Sequence, residues 1–329
     1  MKKIINDPNQ VVQDMVDGLV AAFPKTMKKV EGTLVIARSD APVSNKVGLV
    51  SGGGSGHEPA HAGYVGKGML DAAVCGEVFT SPTPDQVFEA IKAVDGGAGV
   101  FLVIKNYTGD VLNFEMAAEL AEAEGIQVEK VVVNDDVAVE DSSFTTGRRG
   151  IAGTVFVHKI AGAKAESGAS LEEVKAVAEK VVGNVRSMGM ALTPCIVPAA
   201  GEPSFKLDND EMEIGIGIHG EPGINRTQID SADAIATALT EKVLEDHDFS
   251  GEVAVMINGL GATPEMELFI VNKKVQEILA DKGISVYKTF VGEYMTSLEM
   301  AGCSVSLLKL DDELKELLDA ESGAPAFRM

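Results

Sequence analysis

Five histidines stand among the 329 residues, and two of them fall in a pattern with defined chemistry. His57-Glu58-Pro59-Ala60-His61 fits H-E-x-x-H, in which two histidines one turn apart on a helix hold zinc and the glutamate acts as general base. That chemistry needs a helix running through both rings. Pro59 inside a helix would remove a hydrogen bond and clash with the preceding turn. Any helix here starts at Pro59 and leaves His57 in front of it, on the glycine loop Gly52-Gly53-Gly54-Ser55-Gly56, so the zinc-protease reading is disfavoured. Other near-matches fail outright. A hydrolase elbow or a G-x-G-x-x-G turn needs glycine at position 57, which is His57. Gly66-Lys67 lacks the Ser or Thr and the earlier glycine of a phosphate-binding P-loop.

A third histidine closes the run Glu211–Gly223 (EMEIGIGIHGEPG). Read as a strand over 211–218, Met212, Ile214, Ile216 and Ile218 point one way and Glu213, Gly215, Gly217 and His219 the other. The glycines would leave open volume beside His219, which suits a small ligand, although a hydrogen-bonded structural histidine explains the pattern equally well. His158 falls in an expected helix and His247 in an acidic loop, and both read as ordinary residues. The pair Asp135-Asp136 reads as solvated charge. Neighbouring strand residues face opposite ways, so the pair is a poor Mg2+ site.

These side chains must be carried by regular elements. Lys46–Ser51 is a short apolar run that opens into the glycine loop, the pattern of a strand ending at a ligand-facing turn. Residues 99–104 (GVFLVI) form a second strand leading into Lys105-Asn106-Tyr107-Thr108-Gly109-Asp110, followed by a helix near 112–124 and a strand near 127–133. Strand, helix, strand at this spacing implies a parallel pair. Ligands of open α/β sheets bind outside the carboxyl ends of such strands, so the two loops are candidates for one shared site. Helices are expected over 11–23, 151–165 and 171–184, the last with Ser170 and Glu173 as a capping box. The proline-broken stretch SMGMALTPCIVPAAGEP follows. In the second half, strands are expected over 252–258, 284–291 and 303–309, with helices near 231–245, 265–281 and 311–320. The fold class expected is α/β, with two α/β domains, residues 1–184 and 185–329, each a mixed or mostly parallel sheet flanked by helices.

Composition narrows the function classes. With 28 Lys and Arg against 50 Asp and Glu, the formal net charge is −22. Such a surface repels nucleic-acid phosphates and anionic membranes. Hydrophobic residues are 45% of the chain and Trp is absent, so a core must rest on aliphatic side chains. Cys75, Cys195 and Cys303 are far apart and form no metal or redox spacing, which fits a reducing, cytoplasmic setting. The start MKKIINDPNQ has no signal-peptide pattern, and no stretch reaches about 18 apolar residues.

Taken together, SGGGSGHEP, GEVFTSPTPD, IKNYTGD, GRRG, GIHGEPG and NGLGATP resemble one family in that order: the substrate-binding subunits of dihydroxyacetone kinases. The resemblance covers nearly the whole chain and is more specific than any single motif above. It implies that His219 adds through a ring nitrogen to the ketone carbon of dihydroxyacetone, giving a hemiaminal. It implies that Asp110 takes the proton of the hydroxyl being phosphorylated and that His57 is a second acid–base and hydrogen-bonding group. Gly54, Ser55, Gly56 and Lys105 match positions lining the substrate.

The same resemblance implies partners. Single-chain relatives append a helical nucleotide-binding domain, and this chain stops at Met329, so it resembles the separate-subunit type, a phosphoenolpyruvate-glycerone phosphotransferase. ADP or ATP and Mg2+ are then expected on a nucleotide-binding kinase subunit, with none in this chain and no metal site. A phosphotransferase-system protein would donate the phosphoryl group indirectly, and a homodimer is expected. The alternative is a regulatory paralogue that binds dihydroxyacetone and signals to a transcription factor. Asp110 and His57, both present, favour the kinase, since sensing needs only the ligand-holding histidine.

Overall fold

Valine- and glycine-rich runs make the strands that carry the loops, and the computed structural model describes residues 2–140, 145–221 and 223–328. In the first half, β1 (Met27–Lys29), β2 (Val35–Arg38), β3 (Gly48–Ser55), β4 (Ala72–Val78), β5 (Val100–Lys105) and β6 (Val128–Val133) form one sheet in the order β1-β2-β4-β3-β5-β6. β4, β3, β5 and β6 run parallel, and β1 and β2 are added antiparallel. β3 and β5 are adjacent and wholly buried, as parallel strands covered on both faces must be. Their carboxyl ends therefore lie side by side. Helix α1 (Val11–Ala22) precedes the sheet, α2 (Pro84–Val94) connects β4 to β5, and α3 (Thr108–Ala123) connects β5 to β6.

Two helices follow, α4 (Thr154–Glu166) and α5 (Leu171–Asn184). Ser170 caps α5: its hydroxyl accepts the Glu173 N–H, and the Glu173 carboxylate accepts the Ser170 N–H. The second sheet contains β7 (Val185–Ala191), β8 (Glu211–Ile214), β9 (Asn225–Gln228), β10 (Glu252–Gly259), β11 (Ser285–Gly292) and β12 (Gly302–Leu310) in the order β11-β10-β12-β7-β8-β9. Among the described residues of this sheet, only β10 and β11 pair in parallel. Helices α6 (Ala232–Asp246), α7 (Glu265–Asp281) and α8 (Asp312–Asp319) belong to this half, and the short hairpin β13 (Gly323–Ala324) and β14 (Phe327–Arg328) follows α8. The class is α/β with two mixed sheets and flanking helices. One apolar core draws Phe101 and Val103 from the first sheet, Phe156 and Ile160 from α4, and Met256 and Leu308 from the second sheet.

Two expectations are corrected. The strand expected over 211–218 ends at Ile214. Gly215 takes φ +76°, a left-handed conformation open to glycine at little cost, and the chain leaves the sheet. Residues 212–218 are all buried rather than alternating. Asp135 and Asp136 are not solvated: each is 1% exposed. Asp135 accepts the N–H groups of Ile151 and Gly153, both at 2.8 Å, and Asp136 pairs with Arg149. The helical run ends at Asn184, where the break was expected, and β7 follows directly. Ser187 of that strand bridges Asp136, with Ser187 N–H to Asp135 carbonyl at 2.7 Å and Val137 N–H to Ser187 carbonyl at 2.9 Å. The two sheets are thereby stitched along their backbones. Strands β1, β2, β4, β8's partner β9 and helix α2 had no counterpart in the sequence reading.

Beside β3, a buried ion cluster fixes the first sheet. Asp71 is 2% exposed, and it meets Lys46 Nζ at 2.6 Å, Arg38 Nη1 at 3.1 Å and the Leu49 N–H at 2.8 Å. Breaking one partner of such a cluster leaves buried charge uncompensated. Asp71→Ala is expected to destabilise the chain by about 3–5 kcal/mol, read from urea-unfolding midpoints. A loss within about 0.5 kcal/mol, the range of an ordinary surface change, would show that the cluster is not structural.

Candidate active site

The glycine loop at the end of β3 and the loop after β5 meet the segment after β8 around a cavity of about 560 Å³, lined by Gly54, Phe79, Tyr107, Asp110, His219 and Glu221 among others. Gly54 is needed for a close approach. A Cβ there would sit 2.5 Å from Thr80 N and 2.7 Å from Phe79 Cα. Asp110 occupies the first turn of α3, so the helix dipole favours its charge.

His219 stands in an aromatic box. Its ring centroid lies 4.5 Å from Tyr107, 4.8 Å from His57 and 5.2 Å from Phe79, each edge-on. His57 stacks on Phe79 at 5.1 Å. Below the ring, Glu221 Oε1 lies 3.0 Å from His219 Nδ1. The strip beside His219 is not open, as expected from the sequence, but filled. A Cβ on Gly217 would lie 2.0 Å from Glu221 Oε2.

His57 is wholly buried, and its Nδ1 is 2.7 Å from the Thr296 carbonyl oxygen. A carbonyl only accepts, so Nδ1 carries the proton and Nε2 keeps a lone pair. Burial pushes His57 well below its usual range, and the nearby Lys105 charge adds to this. The loop that supplies Thr296 is held by Asn258 at the end of β10. The Asn258 amide oxygen accepts the N–H of Tyr294 and of Met295 at 2.8 and 2.9 Å, and its NH2 donates to the Met295 carbonyl at 2.8 Å. The loop then binds both halves of the site: Leu298 N–H to the Gly56 carbonyl at 2.7 Å, Thr296 hydroxyl to the Glu58 carbonyl at 2.8 Å, and Ser297 hydroxyl to the Ile218 carbonyl at 2.5 Å.

Lys105, at the end of β5, is fully buried. A methyl on Gly53 would lie 3.6 Å from Lys105 Cε and 3.7 Å from both Asp110 Oδ2 and His61 Nε2, so these side chains converge on that glycine. Burial lowers Lys105, against the pull of Asp110. Burial raises Asp110, against Lys105 and the Ser81 hydroxyl. Among the described residues, Lys105 Nζ, Tyr107 Oη, Asp110 Oδ1 and His57 Nε2 are buried with no hydrogen-bond partner. Buried polar groups are normally paired, and a polar ligand would satisfy this set.

Of the residues singled out in the sequence, Gly54, Asp110 and His219 line the cavity, His57 packs on His219, and Lys105 lies beside Asp110. Ser55 and Gly56 contribute backbone. The Ser55 hydroxyl turns away to the Gly76 carbonyl at 2.7 Å, and the Gly56 N–H is taken by the Glu58 carboxylate. No helix runs through His57 and His61. His61 Nδ1 instead meets His158 Nε2 at 2.9 Å, so His158, read as ordinary, belongs to a buried pair. Among the described residues no group of three or more His, Cys, Asp or Glu is placed to hold a metal ion. The three cysteines are free and buried, and among the described residues no helix is long and apolar enough to cross a membrane.

The Dak1 domain model matches residues 17–326. The chain belongs to the Dak1 family. It is 61% identical over 315 residues to a Listeria innocua protein named PTS-dependent dihydroxyacetone kinase 1, dihydroxyacetone-binding subunit DhaK, covering 95% of each chain. It superposes on the crystal structure of the dihydroxyacetone kinase of C. freundii with a TM-score of 0.93 at 37% identity, covering 99% of this chain and 60% of that one. It also superposes on the dihydroxyacetone kinase operon co-activator Dha-DhaQ with a TM-score of 0.90 at 35% identity, covering 98% and 99%. The family expected from the six sequence segments is thus the one found, and with it the kinase-subunit class.

In this Dak1 chain the segments fall around one cavity. GEVFTSPTPD supplies Phe79 and Ser81, and NGLGATP supplies Asn258. GIHGEPG supplies Glu221 as well as His219. Phe79, Tyr107 and Glu221 were not singled out from the sequence. Glu221 carried a readable signal, since it lies two residues beyond a candidate ligand-facing histidine.

Proposed function

We propose that this chain is the dihydroxyacetone-binding subunit of a dihydroxyacetone kinase and holds its substrate as a hemiaminal on His219. The observation that carries the reading is the meeting of His219 and Asp110 at one cavity, with His57 packed against the His219 ring. An imidazole Nε2 lone pair is nucleophilic near neutral pH. It forms the N–C bond as the carbonyl π pair moves to oxygen. The new oxygen takes a proton from solvent while Nδ1 keeps its own toward the Glu221 carboxylate, leaving an imidazolium–carboxylate pair. The lone pair on His57 Nε2 accepts a hydrogen bond from the new hydroxyl. Glycerol has no carbonyl and cannot add, so covalency selects ketones over polyols. Attachment also fixes a terminal hydroxyl for an oriented encounter. Asp110, its proton affinity raised by burial, takes the proton of that hydroxyl as the oxygen attacks phosphorus.

Phosphoryl transfer needs charge neutralisation by metal or cationic groups. The sequence has no P-loop, so the ADP or ATP and Mg2+ belong to a nucleotide-binding partner subunit, recharged by a phosphotransferase-system protein. The product is dihydroxyacetone phosphate, and the subunit works in the cytoplasm as a homodimer of two-domain chains. The likeness to the operon co-activator over nearly both full chains supports a second reading, in which the same adduct signals to a transcription factor.

Three measurements test these statements. Intact-protein and peptide mass spectrometry should find a reversible adduct on His219 with dihydroxyacetone and none with glycerol. An adduct elsewhere, or none, sinks the covalent reading. Asp110→Asn keeps the shape but loses the base, so the adduct should persist while turnover with the partner falls by about 10²–10⁴. Unchanged turnover would remove Asp110 from that role. The isolated chain with Mg-ATP and dihydroxyacetone should make no phosphorylated product until a nucleotide-binding subunit is added. Turnover without the partner would reveal a missed nucleotide site, and failure with every such subunit would favour the co-activator reading.

A further inference from the structure

One carboxylate holds His219 at two atoms. Glu221 Oε2 accepts the His219 backbone N–H at 3.0 Å, while Oε1 stands 3.0 Å from Nδ1 of the ring. Behind Glu221 lies Arg149, a guanidinium with no exposed surface. A methyl on Gly217 would lie 2.0 Å from Glu221 Oε2 and 2.7 Å from Arg149 Nη1, so carboxylate and guanidinium flank the bare face of that glycine, near enough to feel each other's charge but with no hydrogen bond at Arg149 Nη1 among the described residues. The other edge of Arg149 is anchored on the first half of the chain. Nε and Nη2 meet Asp136 Oδ2 at 2.8 and 2.7 Å, and Nη2 also donates to the Gly215 carbonyl at 2.8 Å.

We infer that Arg149 and Glu221 are positioning residues that fix the His219 ring with its proton on Nδ1 and its lone pair on Nε2, the nitrogen left to the cavity. An ionised carboxylate only accepts hydrogen bonds, so Nδ1 must donate. A protonated Glu221 would be able to donate to Nδ1 and drive the ring proton to Nε2, which removes the nucleophile. Arg149 opposes that protonation, because an adjacent buried cation favours the charged form of a carboxyl group. Burial would push Glu221 up, while the hydrogen bond from the His219 ring and the Arg149 charge draw it down, and the lowering prevails. Asp136 in turn compensates Arg149. The chain Asp136–Arg149–Glu221–His219 thus runs from the backbone bridge between the sheets to the ring. It rests on the proposed function only for the identity of what adds to Nε2.

Nitrogen-15 NMR of histidine-labelled protein, with His219 assigned by difference from His219→Asn, reads the tautomer directly in the ligand-free chain. The expected spectrum shows His219 Nδ1 protonated and Nε2 unprotonated. In Glu221→Gln the amide can donate or accept, so both tautomers should appear, and adduct formation with dihydroxyacetone should weaken by roughly 10–100-fold, the scale on which hydrogen-bond partners act on metal-bound histidines. Arg149→Met should act in the same direction, and Arg149→Lys, which keeps the charge, should restore part of the loss. A folded Glu221→Gln chain with the single original tautomer and unchanged adduct formation would overturn the inference. If the variants do not fold, the unaltered chain still decides, since a dominant Nε2–H tautomer overturns it as well. The Nδ1–H tautomer without any adduct would instead refute the covalent reading and leave the positioning role standing.

Discussion

The buried amide of Asn258 makes three hydrogen bonds to one turn, Tyr294–Met295, and a fourth to the Ser304 hydroxyl on β12 at 3.2 Å, and both histidines at the cavity lean on that turn. Beyond it, three consecutive residues bind outward: Thr296 to His57 and Glu58, Ser297 to Ile218, Leu298 to Gly56. The histidine of the first sheet and the histidine of the second are therefore set by the same short backbone. Their edge-on contact at 4.8 Å is a consequence of that shared anchor rather than of attraction between the rings. An amide is suited to the task because it offers both an acceptor for two N–H groups and donors for a carbonyl, with no charge to desolvate.

Charge is distributed in layers. The chain as a whole carries −22, yet Arg38, Lys46, Lys105, Arg149 and Lys159 are all buried. Most of these cations meet a carboxylate: Asp71 for Arg38 and Lys46, Asp136 for Arg149. Two do not: Lys159 donates to the Leu317 carbonyl at 2.6 Å, and Lys105 stands apart. It has Asp110 within electrostatic reach but no hydrogen-bond partner among the described residues. Burial moves its proton affinity down and that of Asp110 up, so the two approach each other and the cost of separating charge there is reduced. In the proposed role of Asp110 as a base such a poise helps, because the proton is wanted only transiently.

The ends of β3 and β5 were legible because an apolar run closed by glycines, and another closed by Lys105, leave few alternatives in an α/β chain. Pro59 was a sound veto on the zinc helix, and the α5 cap was visible in Ser170 and Glu173. The strand through 211–218 was misread because alternation alone cannot report Gly215 at positive φ. Asp135 and Asp136 looked solvated because their partners, the amides of 151 and 153 and the Arg149 side chain, arrive from across a helix-capping loop. The pair His61 and His158 is separated by 97 positions, which no local pattern can join. Helix α2 did carry a signal, Thr83 followed by Pro84, the usual entry into a first turn.

The box around His219 leaves the ring no freedom to turn. Tyr107, Phe79 and His57 bound it on its sides and Glu221 grips one nitrogen, so its other nitrogen is offered along a single line. A planar carbonyl arriving along that line is met on one face only. If the proposed adduct forms, the two chemically identical hydroxymethyl arms of a symmetric three-carbon ketone would become inequivalent, one turned toward Asp110 and the other away. For an unsymmetrical or chiral ketose, the same rigidity fixes the handedness of the new centre, so stereochemical choice would be exercised at attachment, before any phosphorus is in play.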